Sequence, residues 1–163
     1  LGSSDPVVQG GFNNDFKIGK FNIGLYFTFS AGGKIYNIAE AYLGTSQTNA
    51  NKYRYMLGGW SAENPDSDLP SAYSSSAVAD SRFVHDSSYL RLKTLSLGYT
   101  FDFAGKVKWL RELSLSLYGE NLWLLSSYNG YDPEVSSSKA ITRIDNATYP
   151  LPRSYMFSIK LKY

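Results

Sequence analysis

The sequence predicts an all-β chain whose five antiparallel strands form part of a large transmembrane β-barrel. Three observations lead to this prediction. Five runs alternate apolar residues with small or polar ones, and the connections between the runs are short and long in turn. Aromatic residues make up 16% of the 163 residues. Alternation gives a strand one apolar and one polar face, and aromatic residues favour strands and the rims of membrane barrels.

Composition excludes several other classes of protein. No run of 18 apolar residues is present, so the sequence predicts no transmembrane helix. Cysteine is absent, which excludes disulfide scaffolds and thiolate metal sites. The net charge of +2, with 18% charged residues, is too small a bias to indicate nucleic acid as a partner. The chain starts at Leu1 without a signal peptide, and we expect a mature or partial chain.

The first two runs predict a hairpin. Residues 7–17 alternate loosely, with Phe12 and Phe16 on one face. A tight turn is expected at Gly19 and Lys20, because glycine tolerates positive φ. Between residues 21 and 30 every odd position is apolar and every even position is small, polar or tyrosine. The second strand of the hairpin therefore has a clean apolar face.

The next two strands follow a long polar stretch. Alternation is lost from residue 31 to residue 85, where only residues 38–43 suggest a helical turn. It returns near Ser88. Arg91 and Lys93 have the parity of the apolar positions that follow them but lie upstream of these, so we expect both above the lipid, at the end nearer the long loop. A short connection leads to the fourth strand, in which Trp123 is expected to anchor the membrane interface.

The last strand is the clearest of the five. It follows a second polar loop and two prolines, and it alternates to the final residue of the sequence, with Met156 as the one exception. This placement resembles the terminal signal that the outer-membrane assembly machinery reads, a role that we expect for its apolar residues. They are Tyr155, Phe157, Ile159, Leu161 and Tyr163.

The lengths of the connections predict which side of the membrane each one occupies. Barrels of bacterial outer membranes have short periplasmic turns and long extracellular loops. The turns at Gly19 and Gly105 are then periplasmic, and two long loops, about 33–85 and 126–148, are extracellular. Five strands cannot close a barrel, so the sequence predicts that further strands lie outside this chain.

Several segments together resemble one family. They are FNN at 12–14, GKIYN at 33–37, WSAENP at 60–65, SYLRLKTLSLGY at 88–99, GENL at 119–122, GYDPE at 130–134 and YPLPR at 149–153. In this order and spacing they resemble the C-terminal end of the SusC/RagA family of TonB-dependent outer-membrane transporters. The similarity extends over nearly the whole chain, 1–163.

This resemblance implies a specific function and specific partners. It implies a 22-stranded barrel, embedded in outer-membrane lipid, whose last five strands are in this chain and whose plug domain is not. It also implies nutrient import powered through the TonB complex, with a SusD-like surface lipoprotein as the lid. Members of the family take up oligosaccharides or peptides, and the sequence leaves the choice between them open.

Loop residues are the candidates for contact with substrate or with the lid. Aromatic rings can stack on sugars or side chains, and amides and carboxylates can hydrogen-bond to them. Equally, the same residues can pack the loops against one another, an alternative that the sequence does not remove. The candidates are Trp60, Tyr73, Tyr128, Asn129, Tyr131 and Asp132.

Other chemistry is weakly indicated. Asp132 and Glu134 flank a proline and could bind calcium, but two carboxylates without a patterned loop are poor evidence. His85 is the only histidine and has no nearby nucleophile, so we expect a surface residue and no enzyme. The alternative to a transporter is a soluble, aromatic-rich β-sandwich that binds glycans, in which the apolar strand faces would be buried between two sheets.

Overall fold

The computed structural model describes residues 2–45, 51–71, 74, 80–107, 109–134 and 143–163. The chain divides into two compact units. The sheet unit comprises residues 6–32, 88–127 and 150–163, and the loop unit comprises residues 1–5, 33–87 and 128–149. Within the described ranges, no helix is long and apolar enough to cross a membrane.

The described residues contain eight strands and three helices. In chain order the strands are β1 (Val8–Ile18), β2 (Phe21–Ala31), β3 (Lys34–Asn37), β4 (Val84–Asp86), β5 (Tyr89–Asp102), β6 (Glu112–Ser126), β7 (Ile144–Asp145) and β8 (Ser154–Lys162). The helices are α1 (Ile38–Leu43) and two short 3₁₀ helices, Arg54–Gly58 and Ser81–Phe83.

The five predicted strands are confirmed. They form one antiparallel sheet in the order β1-β2-β5-β6-β8. Ile18 lies opposite Phe21, so the first hairpin turns through two residues, of which Gly19 has a φ of 60°. A side chain at this φ would be strained, which is why glycine stands there. Between β5 and β6, the Phe103 N–H donates to the Arg111 carbonyl at 2.8 Å and closes a short connection.

Apolar residues of neighbouring strands lie side by side on one face of this sheet. Phe16 pairs with Ile23, Ile23 with Leu97, Leu97 with Leu117, and Leu117 with Phe157. The side chain of Phe157 is nevertheless 62% exposed. A soluble sandwich would bury this face under a second sheet. An exposed apolar face across five strands contradicts the sandwich alternative and fits a face that contacts lipid.

The predicted phase of Arg91, which was that of the apolar face, is wrong. The pairing register shifts between Leu92 and Thr94, which indicates a β-bulge at Lys93. A bulge inserts one extra residue and inverts the parity of the strand upstream of it. Leu92 therefore pairs with Phe27 and Trp123 in the apolar row, whereas Arg91 pairs with Thr28 and is only 3% exposed.

The loop unit has a small sheet of its own. Its order is β4-β3-β7, with β3 antiparallel to β4 and parallel to β7. Ile35 and Phe83 are almost completely buried in this unit. The helical turn expected at 38–43 is present as α1, and the Asn37 side chain caps it by accepting the Glu40 N–H at 2.9 Å. The long connections are thus partly ordered by their own contacts.

Candidate functional site

The structure separates the predicted loop candidates into buried and exposed residues. Tyr131 is 71% exposed and Trp60 is 50% exposed, and Asn129 is also exposed. Tyr128 and Asp132, in contrast, are only 8% and 3% exposed. Tyr73, the remaining candidate, lies outside the described residues. Only the exposed candidates have side chains available to a ligand in this structure.

Tyr128 belongs to the core of the loop unit. Its hydroxyl donates a hydrogen bond of 2.6 Å to the carboxylate of Asp145, which is 1% exposed. Burial, helped by the neighbouring Asp145 carboxylate, raises the pKa of Tyr128 well above its usual value, so the phenol stays protonated and keeps donating. Asp145 also accepts the backbone N–H of Thr148 at 3.2 Å. The contribution of Tyr128 here is structural, because its hydroxyl satisfies a buried carboxylate.

Asp132 shapes its own turn. One of its carboxylate oxygens accepts the backbone N–H of Glu134 at 2.9 Å, as acidic residues do at turns. Among the residues that the structure describes, no three His, Cys, Asp or Glu side chains are grouped so that they could hold a metal ion. The calcium hypothesis therefore gains no support from this segment.

His85 lies in a contact that the sequence did not suggest. Its Nε2 is 2.5 Å from a carboxylate oxygen of Glu40, and both side chains are mostly buried. The imidazole ring also packs edge-on against the ring of Tyr128, with 5.9 Å between the centroids. His85 is therefore not the surface residue expected from the sequence. It joins β4 to α1 inside the loop unit.

The loop unit contains a pocket of about 270 Å³. It brings Asn129 and Tyr131, both predicted, together with Asn37 and Tyr53, which sequence reasoning missed. The pocket lies between the start of α1, the segment before the first 3₁₀ helix, and the loop that follows β6. Its other lining residues are Ala39, Leu43, Gly130, Asp145 and Ala147.

Trp60 lies in a different part of the loop unit. It borders an open depression of about 620 Å³, together with Leu69, Pro70, Asp80 and Arg82. The backbone N–H of Arg82, and then its guanidinium at 2.6 Å, lower the pKa of Asp80. Trp60 and Tyr131 line different cavities and do not form one site.

The residues predicted as an assembly signal lie at an edge of the five-stranded sheet. β8 pairs with β6 on one side only, among the described residues. Tyr155, Phe157, Ile159 and Leu161 pair with Gly119, Leu117, Leu115 and Leu113, which places them in the apolar rows. Tyr163 follows the strand and is 89% exposed. Among the described residues, one backbone edge of β8 has no paired strand, and its apolar side chains are exposed.

Comparison with known proteins identifies clear relatives. The chain is 34% identical, over its whole length, to the TonB-dependent receptor P3 of Formosa agariphila. Half of the chain is 30% identical to the TonB-dependent receptor SusC of Bacteroides thetaiotaomicron. Among solved structures, 98% of the chain superposes on the RagAB peptide transporter with a TM-score of 0.84 and 25% identity.

The matches cover only part of each relative. The chain spans 17% of the P3 receptor, 8% of SusC and 18% of the matched RagAB chain. No protein-family model matches the sequence. The similarity is therefore that of a segment to a much longer protein, and it extends to both units of the segment because the alignment covers the whole chain.

Proposed function

This chain belongs to the SusC/RagA family of TonB-dependent receptors, and on that premise we propose that it is the C-terminal barrel segment of an outer-membrane nutrient importer. The observation that carries the proposal is the match to the P3 receptor along the whole chain, at 34% identity. The relatives are named as receptors and transporters, and we propose transport, not catalysis, for this protein.

The sheet unit supports a position within the membrane. Strands β2, β5 and β6 contain 11, 14 and 15 residues. A tilted strand needs about 9–11 residues to cross the hydrocarbon region. Because the apolar face of this sheet is exposed, we propose that it contacts lipid, while the opposite, polar face points to the barrel interior. By analogy with the family, the closed barrel has 22 strands. The strands beyond the five in this chain belong to the rest of the protein.

The loop unit fits an extracellular position. In this proposal residues 45–80 and 127–146 face the outside of the cell, and the turns at Gly19 and Gly105 face the periplasm. A SusD-like lipoprotein covers the loops as a lid, and the TonB complex supplies energy through the plug. The solved RagAB relative is named as a peptide transporter. From the family relationship, the substrates in this proposal are oligosaccharides or peptides.

Epitope tags in the complete receptor test this topology. A tag placed in residues 61–66, where Trp60 begins an exposed turn, should be detected by antibody on intact cells. A tag at Gly105, where an added Cβ meets no other atom within 4 Å, should be detected only after the outer membrane is permeabilised. Detection of the Gly105 tag on intact cells, or recovery of the receptor in the aqueous fraction, would contradict the proposal.

A further inference from the structure

We propose that the pocket of the loop unit binds one neutral sugar ring. This inference rests on the proposed importer and names the class of substrate that its loop unit contacts. It is carried by three features of the pocket: two exposed tyrosine rings, two side-chain amides, and a lining in which none of the described residues is cationic.

The aromatic part of the pocket is formed by Tyr131 and Tyr53. Tyr131 is 71% exposed, and Tyr53 is 40% exposed. The ring of Tyr53 is stacked on that of Tyr55, with 5.5 Å between centroids and 13° between planes, and its backbone N–H donates to the Leu43 carbonyl at 3.1 Å. These contacts hold the Tyr53 ring in place before a ligand arrives. A fixed aromatic face suits the apolar C–H face of a pyranose, and fixing it in advance lowers the entropic cost of binding.

Asn37 supplies a buried hydrogen-bond donor. Its side chain is 6% exposed, and its Oδ1 is occupied by the Glu40 N–H at 2.9 Å. The cap uses only this oxygen, and the Nδ2 of the same amide is a hydrogen-bond donor. In this proposal the donor pairs with a hydroxyl group of the sugar. Asn129, a second amide in the lining, is exposed and offers both a donor and acceptors.

The charge of the lining selects a neutral ligand. Among the lining residues that the structure describes there is no Lys or Arg, and the one carboxylate is that of Asp145. A negative charge in the wall disfavours acidic sugars and the C-terminal carboxylate of a peptide. Asp145 is also a poor partner for a cation, because it is 1% exposed and both of its oxygens already accept hydrogen bonds, from Tyr128 and from Thr148. Hydroxyl groups need only donors and acceptors of the amide type, which the two asparagines provide.

The size of the pocket limits the ligand to a single ring. Its volume is about 270 Å³, below the roughly 300–1,000 Å³ of pockets that hold drug-sized molecules. The lining is close-packed at Gly130, where an added Cβ would collide with the ring of Tyr128. The neighbouring sugars of an oligosaccharide would lie outside the pocket. The pocket therefore does not limit the length of the oligosaccharide.

Binding to the complete receptor, purified in detergent, tests the proposal. The probes are an array of neutral oligosaccharides, an array of acidic oligosaccharides and a library of short peptides. We expect binding to neutral oligosaccharides, weakened by about tenfold or more in Tyr131→Ala and in Asn37→Asp. Asn37→Asp keeps the oxygen that caps α1 and removes the donor, so the helix start is preserved. Tyr149→Ala, an exposed tyrosine outside the pocket lining, is the matched control and should bind within about twofold of the original protein.

Several outcomes would overturn the proposal. They are binding restricted to peptides or acidic oligosaccharides, no binding to any neutral probe, and neutral binding that both pocket variants retain. TonB-dependent uptake and outer-membrane location are measured in the same strains. If both pocket variants are located in the outer membrane and import normally, only the sugar pocket is refuted. If the receptor is missing from the outer membrane, the proposed importer is refuted.

Discussion

At the scale of single residues, the loop unit depends on a few buried polar contacts. The Tyr128 hydroxyl satisfies the Asp145 carboxylate, and Glu40 approaches the imidazole of His85. Each pair joins elements that are far apart in the sequence. Because a buried polar group without a partner is costly, these pairs favour one arrangement of the loops over others.

The Tyr128–Asp145 contact predicts the effect of Tyr128→Phe. Removing the hydroxyl leaves a buried carboxylate with one donor fewer, which should cost about 1–3 kcal/mol locally. Hydrogen exchange measured in the complete receptor should become faster in residues 143–149. Tyr131→Phe is the control, since Tyr131 is 71% exposed, and it should leave exchange unchanged. Equal exchange in the two variants would contradict a structural role for the Tyr128 hydroxyl.

At the scale of elements, long strands were predictable and short ones were not. β1, β2, β5, β6 and β8 contain 9 to 15 residues, enough for an alternating pattern to be recognised. β3, β4 and β7 contain only 4, 3 and 2 residues and owe their pairing to distant contacts. The bulge at Lys93 was missed because parity alone cannot reveal an inserted residue.

The pocket was only half predictable for a related reason. Exposed aromatic and amide residues in a polar loop indicated Asn129 and Tyr131, but nothing in the sequence placed Tyr53 beside them. Asn37 did have a local signal, because an asparagine followed three residues later by Glu40 is typical of a helix N-terminus. Its position in the pocket depends on the pairing of β3 with β7, which no local pattern specifies.

The two faces of β8 predict opposite effects of a new lysine. Phe157→Lys places a charge in the apolar row and, at the bilayer midplane, should cost about 2–4 kcal/mol and lower the amount of folded receptor. Ser158→Lys, on the opposite face, should have little effect. The heat-modifiable, folded fraction in outer membranes measures both. If the two variants reach the same level, the assignment of the faces is wrong.

At the scale of the whole molecule, the five-stranded sheet has two edges that its own strands do not pair. Each unpaired backbone group in lipid costs several kcal/mol, so β1 and β8 need neighbours from the rest of the receptor. We propose that the assembly machinery first pairs with the free edge of β8 and reads its alternate apolar side chains.

This assembly step predicts a difference between two adjacent substitutions. Tyr163→Asp should lower the amount of assembled receptor much more than Lys162→Ala, because Lys162 pairs with Glu112 on the polar face. If Tyr163 serves only as an interfacial anchor, Tyr163→Trp should assemble as well as the original protein. Equal amounts of Tyr163→Asp and Lys162→Ala receptor would contradict its role as part of the signal.

The membrane position of the sheet unit is the central claim, and cysteine labelling in intact outer membranes tests it most directly. The chain has no cysteine of its own, so single cysteines are introduced at Leu115, Phe157 and Ile159 on one face and at Ser116 and Ser158 on the other. A water-soluble maleimide should label the first group at least about tenfold more slowly, because lipid excludes the reagent from that face. Equal labelling rates on the two faces would show that the apolar face is in water, and would contradict the account.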